Sequence, residues 1–122
     1  MSKILVVDDE RDVVELLKFL LEKDGYTVVT AYNGREALTV TGQSSPDLIL
    51  LDVMMPEMDG YTVQTQLLEN PKTREIPIII LTAKGQLRDV FAMSPNVRAY
   101  IEKPFDPKTL RLKIQESLRP KA

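Results

Sequence analysis

Residues 48–60 read LILLDVMMPEMDG. The aliphatic run Leu48 to Leu51 passes directly into a carboxylate, Asp52, and then into Met-Met-Pro, an acidic turn and Gly60. A short continuous apolar run bounded by turn signals fits a strand buried on both faces. Strands of that kind belong to parallel sheets covered by helices on each side. A charge at the end of such a strand is costly unless something shares it. The stretch therefore raises two questions: what covers the strand, and what answers the acid.

Working outward, similar runs lie at Ile4–Val7, Thr27–Ala31, Ile78–Leu81 and Ala99–Ile101. Between them the spacing turns helical. Val13, Leu16, Leu17 and Leu20 recur at three and four residues, and Leu110, Ile114 and Leu118 at four, which places each set on one helix face. Arg35–Thr41 and Tyr61–Glu69 are further helix candidates, with a short one at Gln86–Met93. Gly25 fits the residue after a helix end, and Asn33-Gly34 a turn before the next helix. Asn70-Pro71 stops the third helix, because proline disfavours α geometry in the residue before it. Asp106-Pro107 reads as an N-cap followed by a first-turn proline. Strands alternating with helices imply a doubly wound parallel sheet, an α/β fold with right-handed crossovers. A single domain over residues 1–119 is expected, with 120–122 as a short C-terminal tail.

Composition narrows the chemistry. The 122 residues hold no cysteine and no histidine, which excludes thiolate nucleophiles, disulfides and imidazole general bases. Sixteen basic and 18 acidic residues give a net charge of −2, unlike the basic footprint of a direct nucleic-acid binder. The N-terminal apolar run is too short for a signal peptide, and no stretch approaches the ~20 apolar residues of a membrane helix. A cytoplasmic location is expected.

In doubly wound sheets the ligand site lies beyond the carboxyl ends of the strands. Those ends carry Asp8-Asp9-Glu10, Asp52, Thr82-Ala83 and Glu102-Lys103-Pro104. Converging carboxylates repel unless a proton or cation intervenes. A hard divalent ion, Mg2+ or Mn2+, resolves the repulsion and typically shares its shell with phosphate oxygens. Lys103 adds a compact positive charge and Thr82 a neutral donor. Together they describe a site for a phosphoryl group, with an aspartate available as nucleophile.

The set Asp8-Asp9, Asp52-x-x-Met55-Pro56-x-x-x-Gly60, Thr82-Ala83 and Lys103-Pro104-Phe105 resembles the receiver domain of two-component response regulators, including the chemotaxis-regulator type. The resemblance covers essentially the whole chain, with its motif blocks in order. It implies a flavodoxin-like (βα)5 fold with strand order 2-1-3-4-5. It further implies that Asp52 accepts phosphate from a phosphohistidine of a sensor histidine kinase or phosphotransfer protein. Asp9, Asp52 and the backbone carbonyl of Met54 would ligate the metal, with Asp8 acting through water. Lys103, positioned by a cis peptide to Pro104, would pair with the phosphoryl oxygens. Thr82 and Tyr100 would be the switch, acting on a surface made by the fourth helix, fifth strand and fifth helix. The downstream output stays open, as does a phosphorylation-dependent dimer; no membrane partner is implied.

Simpler readings exist for each residue. Asp8-Asp9 can be a helix N-cap, Asp52 a turn residue, Thr82 a strand residue, Tyr100 core, and Leu87, Val90 and Phe91 the inner face of a short helix. Met55 and Pro56 shape a loop, Met55 filling a gap beneath the site, and Gly60 is expected to supply backbone freedom at a helix start. The residues 93–98, Met-Ser-Pro-Asn-Val-Arg, depart from the small-residue turn of the family, so the link to the fifth strand is expected to be irregular. Met54 and Lys84 stand where receivers tune phosphate lifetime. An apolar group and a cation there predict slow self-dephosphorylation, since neither orients water as a carboxylate or amide does. Two other functions compete. A phosphatase of the haloacid-dehalogenase type needs a second acid at position 54, where this chain has Met. A constitutive pseudo-receiver would not need the full set of acids, threonine and lysine.

Overall fold

The acid-ended strand is β3 (Leu48–Asp52), buried at every position. In a computed structural model describing residues 2–53, 55, 58–83 and 95–118, it lies at the centre of a parallel sheet. The others are β1 (Lys3–Val7), β2 (Thr27–Ala31), β4 (Ile78–Ala83) and β5 (Val97–Lys103), in the order β2-β1-β3-β4-β5. All four pairings are parallel, as expected of the doubly wound α/β, flavodoxin-like arrangement.

Side chains alternate along each strand, so the sheet feeds two core layers. Leu5, Val7, Ile49, Leu51, Ile78 and Ile80 pack with Ala37, Val63 and Leu67, which come from α2 (Gly34–Ser44) and α3 (Gly60–Glu69). Ile4, Val6, Leu48, Leu50, Ile79 and Leu81 pack on the other side. There they meet Val14, Leu17 and Leu21 of α1 (Arg11–Lys23) and Leu110 and Ile114 of α4 (Pro107–Leu118). Both faces are covered, which is why the central strands carry unbroken aliphatic runs.

The helix ends follow local chemistry. Gly25 has φ 94° and donates its N–H to Glu22 O at 3.0 Å, while Tyr26 N–H reaches Leu21 O at 3.1 Å. This is the Schellman pattern that ends α1 and needs a left-handed residue. Asn33 caps α2 by accepting the Glu36 N–H at 2.8 Å, and Asp59 caps α3 through the Thr62 N–H at 2.8 Å. Asp106 accepts the Thr109 N–H at 3.3 Å ahead of Pro107. Asn70 ends α3 in extended geometry.

Several details differ from the sequence reading. The buried stripe of α1 is Val14–Leu17–Leu21; Leu16 faces outward at 50% exposure. Strands β3 and β4 run on through Asp52 and Thr82-Ala83, because their ladder continues past the apolar run. Strand β5 extends to both sides of Ala99–Ile101, and the expected irregularity appears as a register shift: Ile78 faces Val97 but Ile79 faces Ala99, leaving Arg98 extra. Asp8-Asp9 is not the cap of α1; Glu10 is the N-cap, and its side chain makes no capping bond. Gly60 is not in a left-handed conformation among the positive-φ residues. It is needed for space, since a β-carbon there would meet Asp52 O at 2.5 Å and Val53 Cα at 2.8 Å. The helix expected over Gln86–Met93, with Leu87, Val90 and Phe91, lies outside the described residues. So do Met54, Pro56, Lys84, Met93-Ser94 and the 119–122 tail.

Candidate functional site

The parallel register decides which acids meet. Val7 pairs with Leu51, so Asp8 and Asp52 leave neighbouring strands at the same level. Asp52 pairs with Leu81 and Ala83 with Lys103, which carries the same edge across β4 to the end of β5. The aliphatic residues beneath are fully buried, so these ends rest on a packed floor.

Asp8 is fully buried. Its Oδ2 accepts from Lys103 Nζ at 2.6 Å and its Oδ1 from the Glu10 N–H at 3.0 Å. Asp52 is nearly as buried, and its Oδ1 stands 3.6 Å from the same ammonium. Glu10 Oε1 approaches that ammonium at 3.5 Å from the solvent side. One lysine, on a strand two places from β3 and three from β1, thus answers three carboxylates. Partial burial opposes the charge on Lys103 and is the largest single influence. The hydrogen bond to Asp8, then the fields of Asp52, Asp8 and Glu10, together outweigh it and leave the lysine pKa above its ordinary value.

The Lys103–Pro104 peptide is cis, in line with the expectation for the family. Thr82 is buried on β4 opposite Glu102 of β5, one step beyond the level of Asp52. Tyr100 is half-buried against the core layer of α2 and α3 and pairs with Ile80. It stands three residues before Lys103 on β5. Met55 is buried in that same layer. The structure therefore brings Asp8, Asp52 and Lys103 together, places Asp9 at the rim and Thr82 beside them on β4, and packs Tyr100 of β5 on the core layer of α2 and α3. Met54 and Lys84 lie outside the described residues.

Carboxylate oxygens of Asp8, Asp9 and Glu10 lie within 4.8 Å of one another. An all-carboxylate set suits a hard cation such as Mg2+. The Lys103 ammonium already rests on two of these acids, which marks the place where positive charge is needed. The donor set thus fits a divalent ion. Glu10 is the residue that the sequence reading left out of the site. Its signal was present in the Asp-Asp-Glu run, but its reach to a lysine 93 residues away was not.

Comparison with known proteins agrees with this geometry. The family model of the response regulator receiver domain matches residues 4–115. "Probable transcriptional regulator ycf27" of Cyanophora paradoxa is 46% identical over 119 residues, covering 97% of this chain and 48% of that protein. The alkaline phosphatase synthesis transcriptional regulatory protein PhoP of Bacillus subtilis (strain 168) is 43% identical, covering 97% and 49%. The chain thus spans about half the length of the curated relatives it matches. Among solved structures, chemotaxis protein CheY4 of Vibrio cholerae superposes with a TM-score of 0.88 at 30% identity, covering 96% of this chain and 98% of that one. A response regulator receiver domain protein of Clostridium thermocellum gives 0.86 at 32%, covering 97% and 94%. On sequence, fold and strand-end geometry together, the chain belongs to the family of response regulator receiver domains of two-component signalling systems.

Proposed function

We propose that Asp52 is the phosphoacceptor of this receiver, taking a phosphoryl group from a phosphohistidine of a sensor histidine kinase or phosphotransfer protein. The observation that carries this reading is the placement of Lys103 between buried Asp8 and Asp52 at the end of the sheet. An Asp52 oxygen attacks phosphorus, the P–N bond of the donor breaks, and the imidazole nitrogen keeps the electron pair; the product is an acyl phosphate on Asp52. Lys103 meets the negative charge of the transferred oxygens, and Thr82 supplies a neutral hydroxyl donor beside them. Asp8, Asp9 and Asp52, with the Met54 carbonyl, would hold Mg2+ or Mn2+. Such an ion would supply neutralisation of charge on the phosphoryl oxygens.

The chain acts as a signalling module in the cytoplasm. Its own chemistry is limited to phosphoryl uptake and slow self-dephosphorylation, the latter tuned by Met54 and Lys84. Thr82 and Tyr100 pass the change to the surface that includes β5 and α4. The names of two relatives, both transcriptional regulators, favour an output that controls transcription. A phosphorylation-dependent dimer is a natural form for that output.

The test uses acetyl phosphate with Mg2+, followed by intact-protein mass spectrometry. A gain of one phosphoryl group, absent in Asp52→Ala, is expected. No gain in the wild type would overturn the reading in favour of a constitutive pseudo-receiver, and turnover of p-nitrophenyl phosphate would point to a phosphatase.

A further inference from the structure

Glu10 has no structural task of the kind its position offers. It is the N-cap of α1, where a side chain ordinarily accepts from the first-turn amides, yet it makes no capping bond. Its carboxylate turns to Lys103 Nζ at 3.5 Å. The same carboxylate belongs to the cluster whose oxygens are close enough to hold a cation. Asp8 is in the same double position: it accepts from Lys103 at 2.6 Å and is a member of that cluster. The ammonium and a divalent cation therefore seek the same oxygens.

We propose that Glu10 is a positioning residue that acts through Lys103, holding the ammonium over the acidic cluster and so restraining cation entry, and that the cation and Lys103 compete for Asp8 and Glu10. The inference rests on the proposed cation site at Asp8, Asp9 and Asp52, to which Glu10 is added here at the solvent edge. Lys103 is equally close to Glu10 and to Asp52, at 3.5 and 3.6 Å. Once drawn off Asp8, the ammonium has two carboxylates within reach, and Glu10 decides how much of it is left for the phosphoacceptor. A bystander carboxylate would behave otherwise. It would attract the cation by its field alone, to the same degree whether or not Lys103 carried a charge.

A double-mutant cycle separates the two roles. Mn2+ is titrated into wild type, Glu10→Gln, Lys103→Met and the double variant, and free Mn2+ is read by electron paramagnetic resonance. With Lys103 replaced by Met, loss of the Glu10 charge should weaken Mn2+ binding. With Lys103 present, the same change also loosens the competitor, so the loss should be smaller by about two- to five-fold, or reversed. That range is the coupling expected of a half-exposed ion pair. Equal losses in both backgrounds overturn the proposal while leaving the cation site intact. Absence of Mn2+ binding in the wild type overturns the cation site and the proposal together. Should Lys103→Met fail to fold by circular dichroism, Glu10→Asp tests the same point with Lys103 in place. It keeps the charge but draws the oxygen back by one methylene, and Mn2+ should bind more tightly than in the wild type. Affinity equal to or below the wild type would count against the proposal.

Discussion

Gly60 is pressed against the backbone of Asp52: a β-carbon at 60 would stand 2.5 Å from the Asp52 carbonyl oxygen. The Gly60 N–H also donates to Val53 O at 2.9 Å. The first residue of α3 is thus the back wall of the strand end that carries the proposed phosphoacceptor. The neighbours are backbone atoms, which cannot rotate aside as a side chain would.

Gly60→Ala is therefore expected to destabilise the fold by about 1–3 kcal/mol, the usual cost of overpacking a filled site. It should also slow phosphoryl uptake, because relief of the clash moves Asp52. Urea unfolding and acetyl phosphate kinetics check the two effects. A variant with wild-type stability would mean that α3 can slide without cost. Gly34→Ala, whose β-carbon would meet Met58 O at 2.6 Å, is a control that strains α2 away from the acids.

Lys103→Met leaves buried Asp8 with the Glu10 N–H but without its 2.6 Å ammonium partner. Stripping one member from a buried ion pair is costly, and partial exposure of the lysine lowers the figure here to about 2–3 kcal/mol. Mg2+ should return part of that loss, since a bound cation stabilises the folded state by mass action. Unfolding in chelator and in Mg2+ gives the comparison; no difference between the two conditions would count against a cation at this cluster.

The alkaline limb of stability carries the Lys103 signature. Its folded-state pKa is raised above 10.5, so the folded chain holds this proton more tightly than the unfolded one. The contribution is fully present below the unfolded pKa and is lost as pH rises through the folded value. Unfolding free energies from pH 9 upward should therefore fall more steeply for wild type than for Lys103→Met. Tyr26 adds a loss of the same sign, its pKa raised by burial and then by Asp24 against an opposing influence of Arg111. Tyr26→Phe separates it. Parallel slopes for wild type and Lys103→Met would sink the assignment.

Gln64 and Asn96 form a buried polar pair joining α3 to the turn before β5. Gln64 Nε2 donates to Asn96 Oδ1 at 2.8 Å, and Gln64 Oε1 is buried with no hydrogen-bond partner among the described residues. Asn96→Ala strands the amide completely and should cost about 1–3 kcal/mol. Gln64→Leu removes the orphan acceptor together with the donor and should cost less than about 1 kcal/mol. Urea midpoints of both variants decide it; a reversed order would show that the pair is not the source of strain.

Thr82→Ala should still take up one phosphoryl group yet lose phosphorylation-dependent partner binding or dimerisation. Unchanged dependence would remove Thr82 from the coupling route. For lifetime, Met54→Asn with Lys84→Glu should hasten decay of the phosphoprotein in Mg2+, and an unchanged decay would refute the tuning role.

The strands that were easy to read are those covered on both faces. Ile4–Val7, Leu48–Leu51 and Ile78–Leu81 announce themselves because burial permits only aliphatic side chains. The edge strand β5 was underestimated because Arg98 and Glu102 look like loop residues, and a solvated edge tolerates them. The outward turn of Leu16 was hidden because Val13, Leu16, Leu17 and Leu20 keep helical spacing as well as the buried Val14, Leu17 and Leu21 do. Asp8, Asp52 and Lys103 were legible through their shared place at strand ends. Glu10 was not, since an exposed acid before a helix reads first as a partner of the helix dipole. The true reason for Gly60 also needed coordinates: a missing β-carbon looks the same in sequence whether it serves rotation or space.

Asp8 and Lys103 are 95 residues apart in the chain, and β5 follows the other four described strands of the sheet. Until that strand docks, Asp8 and Asp52 face each other at neighbouring strand ends without the lysine. Contacts of such long sequence separation carry the entropy cost of closing the intervening chain. If Asp52 is the phosphoacceptor as proposed, receiving the signal depends on completing the sheet. A chain whose fifth strand has not docked would present the two acids without their shared lysine and, on the proposed reading, without the cation that meets a transferred phosphoryl group.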